Sequence, residues 1–149
     1  MLPVWDESLE TGVAEIDAGH RQIVESFDAL LLSLVEERGD EVVAEGLSKL
    51  AEAMCEHIDC EDELMRAVVY GDVEAHRADH DEFLIRLSQL TVDYQKRSLF
   101  LASRVRELIG VWKDHHQVRF DRPLARAVLD QRQLLPAMEP EFSRRSACR

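Results

Sequence analysis

His20 stands between Ile16 and Ile23 in a stretch of helical hydrophobic spacing, at a place where an apolar side chain is expected. The row Leu50, Met54, His57, Glu61 and Leu64 steps by four, three, four and three. Val73, His76, His80, Phe83 and Leu87 form another such row, and Val105, Ile109, Trp112 and His116 a further one. A buried imidazole or carboxylate without a partner costs several kcal/mol, so such groups are paired or metal-bound. One histidine on an apolar face is most often a satisfied core residue. Four segments that each place histidine on their apolar face point instead to a shared metal site. His57/Glu61 and His76/His80 are i,i+4 pairs, which project from one helix face and can converge on an ion.

The residue types also bear on the metal. Zinc wants four ligands in a tetrahedron, and the H-E-x-x-H arrangement of zinc proteases is absent. Calcium and magnesium want mainly oxygen ligands. Imidazoles with a minority of carboxylates suit iron, with zinc, copper and nickel as competitors. The bundle di-iron carboxylate enzymes use Glu-x-x-His pairs. No Glu stands three residues before any His in this chain, which counts against that oxygen-activating class.

These residues need four helices to position them. Apolar residues recur in steps of three and four from Ile16 to Leu34, from Val43 to Val68, from Val73 to Leu90 and from Leu101 to Trp112. Arg38-Gly39-Asp40 and Tyr70-Gly71-Asp72 mark two breaks, with Asp40 and Asp72 as N-cap candidates and Gly71 as a helix end. A weaker break falls in Gln95-Lys96-Arg97-Ser98. Short connections between long helices imply antiparallel neighbours. The expected fold is all-α, an up-down-up-down four-helix bundle over residues 1–122. Residues 1–15 form an extended arm that Trp5 can anchor. Pro123 is expected to end or kink the fourth helix near Asp121. Residues 123–149 read as a C-terminal extension, with a short helix over 124–134 and then a loose tail around Pro136 and Pro140.

The 149-residue length suits one domain, and only 6 Gly and 4 Pro favour helices over a turn-rich architecture. A formal charge of −12 argues against binding nucleic acid or an anionic membrane surface. From Arg119 onward seven Arg oppose four acids, a net +3, so residues 1–118 carry −15. No apolar run is long enough to span a membrane, and the first residues lack the features of a secretory signal. Cys55, Cys60 and Cys148 form no disulfide framework, so a reduced, cytoplasmic setting is expected.

From Trp5 to Asp121 the chain resembles the hemerythrin family. Trp5 and Gly12-Val13-Ala14-Glu15-Ile16-Asp17-Ala18-Gly19-His20 resemble its N-terminal signature. His57-Ile58-Asp59-Cys60-Glu61, with Leu64-Met65 and Tyr70, resembles its H-x-x-x-E segment. His76-Arg77-Ala78-Asp79-His80, then Phe83, resembles its H-x-x-x-H segment. Trp112-Lys113-Asp114-His115-His116, then Asp121, resembles its closing W-x-x-x-H-x-x-x-x-D. The resemblance implies a non-haem di-iron centre. In it His76, His80 and His116 hold one iron, and His20 and His57 the other. Glu61, Asp121 and an oxygen bridge both, leaving one position on the second iron open to dioxygen. Reversible dioxygen binding for storage or delivery is the implied function, and the chain is not expected to be an enzyme.

Some assignments stay open at this level. Periodicity permits His115 as readily as His116, and only the family spacing selects His116, leaving His115 as a solvated or neighbouring group. Asp121 can alternatively cap a helix begun by Arg122-Pro123. Lys113 stands where the family usually has an apolar Leu beside Trp112. It either snorkels to solvent or reaches the bound oxygen, and either alters oxygen affinity or autoxidation. Gly19 replaces the family's usual Gln, at about 1 kcal/mol of helix propensity relative to Ala. Two other functions fit the same ligands: sensing of oxygen, nitric oxide or redox state through a partner, and enzymatic turnover of peroxide or nitric oxide.

Overall fold

The computed structural model describes residues 5–135, and every regular element among them is helical. The tail around Pro136 and Pro140, and Cys148, lie outside the described residues. The arm enters through a short 3₁₀ turn, Glu7–Leu9. It leads into α1 (Ala14–Val35), α2 (Asp40–Ala67) and α3 (Val73–Gln95). The fourth helix starts as α4 (Leu101–Val111), widens into a π segment (Trp112–Asp121) and continues as α5 (Arg122–Leu134). α1 packs on α2 and α4, and α3 packs on the same two, which is the up-down-up-down bundle the sequence implies. Trp5 is half-buried and lies against Arg21, whose guanidinium is 4.9 Å from its ring centre, so the arm is anchored as expected.

Each short loop closes its helix in the same way. Glu37, Val69 and Arg97 take left-handed φ values of 50°, 52° and 54°. The following amides, from Arg38, Tyr70 and Ser98, donate back to the carbonyls of Ser33, Met65 and Asp93. This is the reverse turn that satisfies the last carbonyls of a helix. Val69, not Gly71, carries the left-handed residue after α2, an uncommon place for a β-branched side chain. The aspartates at the breaks do not cap: Asp40 is the first residue of α2, and Asp72 precedes α3 without a side-chain capping bond.

The interior is layered. One apolar cluster contains Ile23, Phe27, Met54, Phe83, Val105 and Trp112. A second contains Val13, Ile16, Met65, Leu124, Ala125 and Val128. Along α1 the order is Ile16, His20, Ile23; along α2 it is Met54, His57, Glu61, Met65. Along α3, Val73 of the second cluster precedes His76 and His80, and Phe83 follows. Along the fourth helix, Trp112 precedes His116 and Asp121, and Leu124 follows. Every helix of the bundle thus crosses from one apolar cluster to the other through a polar layer.

The backbone stays helical through Pro123. Asp121 and Arg122 both keep right-handed helical dihedrals, and Pro123 sits in the first turn of α5. There its missing N–H costs little. The helix changes type at Asp121 but does not end there. The continuation lets Leu124, Ala125 and Val128 close the second apolar cluster.

Candidate metal centre

The π segment decides which residues of the fourth helix face inward. In an α-helix, residues five apart differ by about 140° around the axis. Bonding from i to i+5 brings them toward one side. Trp112, His116, Gln117 and Asp121 are the buried residues of this segment. His116 is 1% exposed, whereas the His115 side chain is 46% exposed. The structure therefore brings His116, not His115, to the polar layer. Asp121 makes no capping bond and turns inward instead.

Seven side chains meet in that layer: His20, His57, Glu61, His76, His80, His116 and Asp121, each 2% exposed or less. Glu61 Oε2 lies 3.0, 3.2 and 3.3 Å from Nε2 of His76, His80 and His57. The oxygens of Asp121 divide. Oδ1 faces His116 and His76 at 2.8 and 3.3 Å, while Oδ2 faces His20 and His57 at 2.9 and 3.9 Å.

The electrostatics follow from this packing. Burial alone would lower the His116 imidazole, but Asp121 and Asp79 more than offset it and raise it to about 10. Burial likewise opposes the charge on His76, and Asp121 with Glu61 raise it to about 9. Burial pushes Glu61 and Asp121 up, yet the surrounding imidazoles hold Glu61 at about 2 and Asp121 well below the usual carboxylate range. His57 goes the other way: burial lowers it to about 4, with Glu61 only partly compensating. Near neutrality the His76 and His116 imidazoliums face the Glu61 and Asp121 carboxylates in the metal-free layer.

The residues present fit a metal. The Nε2 atoms of all five histidines and all four carboxylate oxygens are shielded from solvent, and none has a hydrogen-bond partner. They approach one another closely without forming hydrogen bonds. Buried polar atoms in such number are costly unless something else satisfies them. One ligand atom from each of His57, Glu61, His80, His116 and Asp121 falls within 4.8 Å of the others, a spread that metal ligation can draw together.

The surroundings hold these side chains in place. His116 Nδ1 is 2.5 Å from Asp79 Oδ2, the carboxylate–histidine arrangement that orients metal ligands. Asp79 also approaches the exposed His115, at 3.3 Å. Trp112 is fully buried and stands perpendicular to His20, ring centres 5.0 Å apart. Phe120 lies against His76 and His116, ring centres 5.4 and 5.6 Å apart. A Cβ on Gly19 would lie 3.2 Å from His57 Nδ1. That glycine therefore lets the His20 and His57 rings approach to 4.9 Å. Lys113 is half-buried, and its charge acts on Asp28 of α1 and Asp6 of the arm. Asp79 and Gln117 are the neighbours that sequence reasoning missed. An acid beside His80 and an amide beside His116 look like solvated residues until the burial of the π segment is known.

A family model for the hemerythrin HHE cation-binding domain matches residues 11–118. The chain belongs to the hemerythrin family. The matched stretch holds six of the seven layer residues, and Asp121 lies just beyond it. The chain is similar to a bacteriohemerythrin of Pseudomonas paraeruginosa, 28% identical over 113 residues, 76% of this chain and 72% of that one. It is similar to one of Pseudomonas aeruginosa, 29% identical over 115 residues with the same coverage. One of Stenotrophomonas maltophilia is 25% identical over 115 residues, 77% of this chain and 74% of its own. No solved structure matches the chain. As a hemerythrin-family domain it is a cation-binding helical bundle, and no described helix is long and apolar enough to cross a membrane.

Proposed function

We propose that the polar layer holds two non-haem irons and binds dioxygen reversibly, for storage or delivery. His76, His80 and His116 hold one iron, His20 and His57 the other, and Glu61 and Asp121 join the two. The observation that carries this reading is the division of Asp121, with Oδ1 toward His76 and His116 and Oδ2 toward His20 and His57. A carboxylate with one oxygen toward each of two imidazole groups suits a bridge between two ions, as Glu does in other bundle di-iron sites.

Iron bound there supplies the electrons for reversible dioxygen binding. The chain's own residues set the conditions. Five imidazoles against two carboxylates stabilise high-valent iron less than a carboxylate-rich set, which favours binding over substrate oxidation. Trp112, buried and perpendicular to His20, would exclude water from the iron that His20 and His57 would hold. Lys113, half-buried and acting by its charge on Asp28 and Asp6, suits the snorkelling reading, which leaves its place beside Trp112 without an apolar cover.

Metal analysis of wild-type and Asp121→Ala protein, expressed with ample iron, tests the assignment. Two irons per wild-type chain and fewer than two in the variant are expected. Equal iron in both removes Asp121 from the centre. Turnover of peroxide or nitric oxide by the reduced protein would move the function to an enzyme. Sensing is a second reading, favoured by one contact: Gln117 connects His20 to the arm.

A further inference from the structure

Gln117 is fully buried in the π segment, where its side chain spans two elements. Its Nε2 is 2.9 Å from the Leu9 carbonyl and 2.9 Å from His20 Nδ1. Its Oε1 is buried and bonds to nothing. An amide nitrogen carries two hydrogens. One is donated to Leu9 and the other to the lone pair of His20 Nδ1. A neutral imidazole has one proton, so the proton of His20 then sits on Nε2, which faces Asp121 Oδ2 at 2.9 Å.

We infer that Gln117 is a positioning residue for His20, whose amide serves the arm in the metal-free protein and His20 in the metal-loaded one. The inference rests on the reading of His20 as a metal ligand. A metal taken by His20 needs the Nε2 lone pair, so the ring proton moves to Nδ1 and requires an acceptor. Gln117 Oε1 is the unpartnered oxygen at hand. A half-turn of the amide exchanges Oε1 with Nε2 and presents an acceptor to Nδ1–H. The same half-turn withdraws the donor from Leu9 and sets two oxygens face to face. The arm then loses its buried polar tie. Asp17 of α1 accepts from the Thr11 and Gly12 amides and keeps that end of the arm in place. The remaining polar ties of residues 5–10, Arg21–Glu10 and Arg122 to the Ser8 carbonyl, lie at the exposed surface and hold them weakly. Metal occupancy is thereby reported at the surface as loosening of residues 5–10, through one buried amide.

The test is amide hydrogen exchange of the full chain, chelated and then loaded with ferrous iron under anaerobic conditions, with bound iron measured on the same samples. Iron is expected to speed exchange of the arm amides by about 5-fold, the loss of one hydrogen bond, while slowing it around the polar layer. In Gln117→Leu the arm exchanges fast in both states, and iron binds about 10–100-fold more weakly. In Gln117→Glu the arm is again fast in both states. A carboxylate can accept from Nδ1–H, so this variant holds iron more tightly than Gln117→Leu does. Arm exchange that is unchanged or slower in iron-loaded wild type overturns the inference. So does a Gln117→Leu arm that still responds to iron. Failure of the wild type to take up iron overturns the metal reading beneath it, and the iron measurement shows that separately.

Discussion

His116 Nε2 and Asp121 Oδ1 lie 2.8 Å apart although the two residues are five positions apart on one continuous helix. Only the widened π segment allows this, because α-helical geometry would turn one of them away. Their contact also holds the His116 imidazole at about 10. Asp121→Asn keeps the shape and removes the charge. In metal-free protein the His116 pKa is expected to fall toward its ordinary value, as followed by NMR titration. An unchanged His116 titration would detach the pair from each other.

The pH dependence of the metal-free protein has a definite sign. His76 and His116 are raised to about 9 and about 10. Their contribution is fully present below the ordinary histidine pKa of 6.5 and is lost as pH rises through those values. His57, lowered to about 4, contributes above 6.5 and loses that contribution as pH falls toward 4. Glu61 and Asp121, both lowered, lose theirs only at still lower pH. Stability measured by thermal melts of chelated protein should therefore peak near 6.5 and decline on both sides. Iron loading must displace the protons of His76 and His116, so apparent affinity should rise with pH across the alkaline decline. Melts that improve steadily toward pH 9 would contradict this assignment of charges.

Asp79 orients His116 from outside the layer. Asp79→Ala should weaken metal binding by about 10–100-fold in competition with a chelator. His115→Ala should change it far less, because that ring is exposed and touches the same aspartate from the solvent side. Equal effects of the two variants would mean that Asp79 acts only through surface charge.

Leu124 is fully buried in the second apolar cluster, and Leu134 of the same helix is 83% exposed. Leu124→Ala should cost about 2–5 kcal/mol in denaturant unfolding. Leu134→Ala should stay within about 0.5 kcal/mol. A silent Leu124→Ala would show that α5 contributes nothing to the stability of the bundle.

Lys113→Leu replaces a half-buried charged side chain with an apolar one next to Trp112 in the chain. The oxygenated protein should then last longer before it autoxidises, as followed by optical decay. An unchanged lifetime would separate Lys113 from the oxygen pocket.

Much of the centre was legible because α1, α2 and α3 keep α-helical register, so His20, His57, Glu61, His76 and His80 stand out on apolar rows. The fourth helix was harder. Steps of four and five from Trp112 to His116 to Asp121 fit no α-helical face, and periodicity left His115 and His116 tied. The family spacing resolved the tie that local rules left open, and the π segment supplies its physical reason. Gln117 was hidden for the same cause. Pro123 suggested an end to the helix, which obscured Leu124, Ala125 and Val128 as core residues.

The most direct test of the central claim is an oxygen cycle on iron-loaded, reduced protein, with iron counted on the same sample. Two irons per chain and an optical band that appears with dioxygen and disappears on its removal are the predicted result. Zinc alone, no metal after expression with ample iron, or a band that never reverses would contradict it.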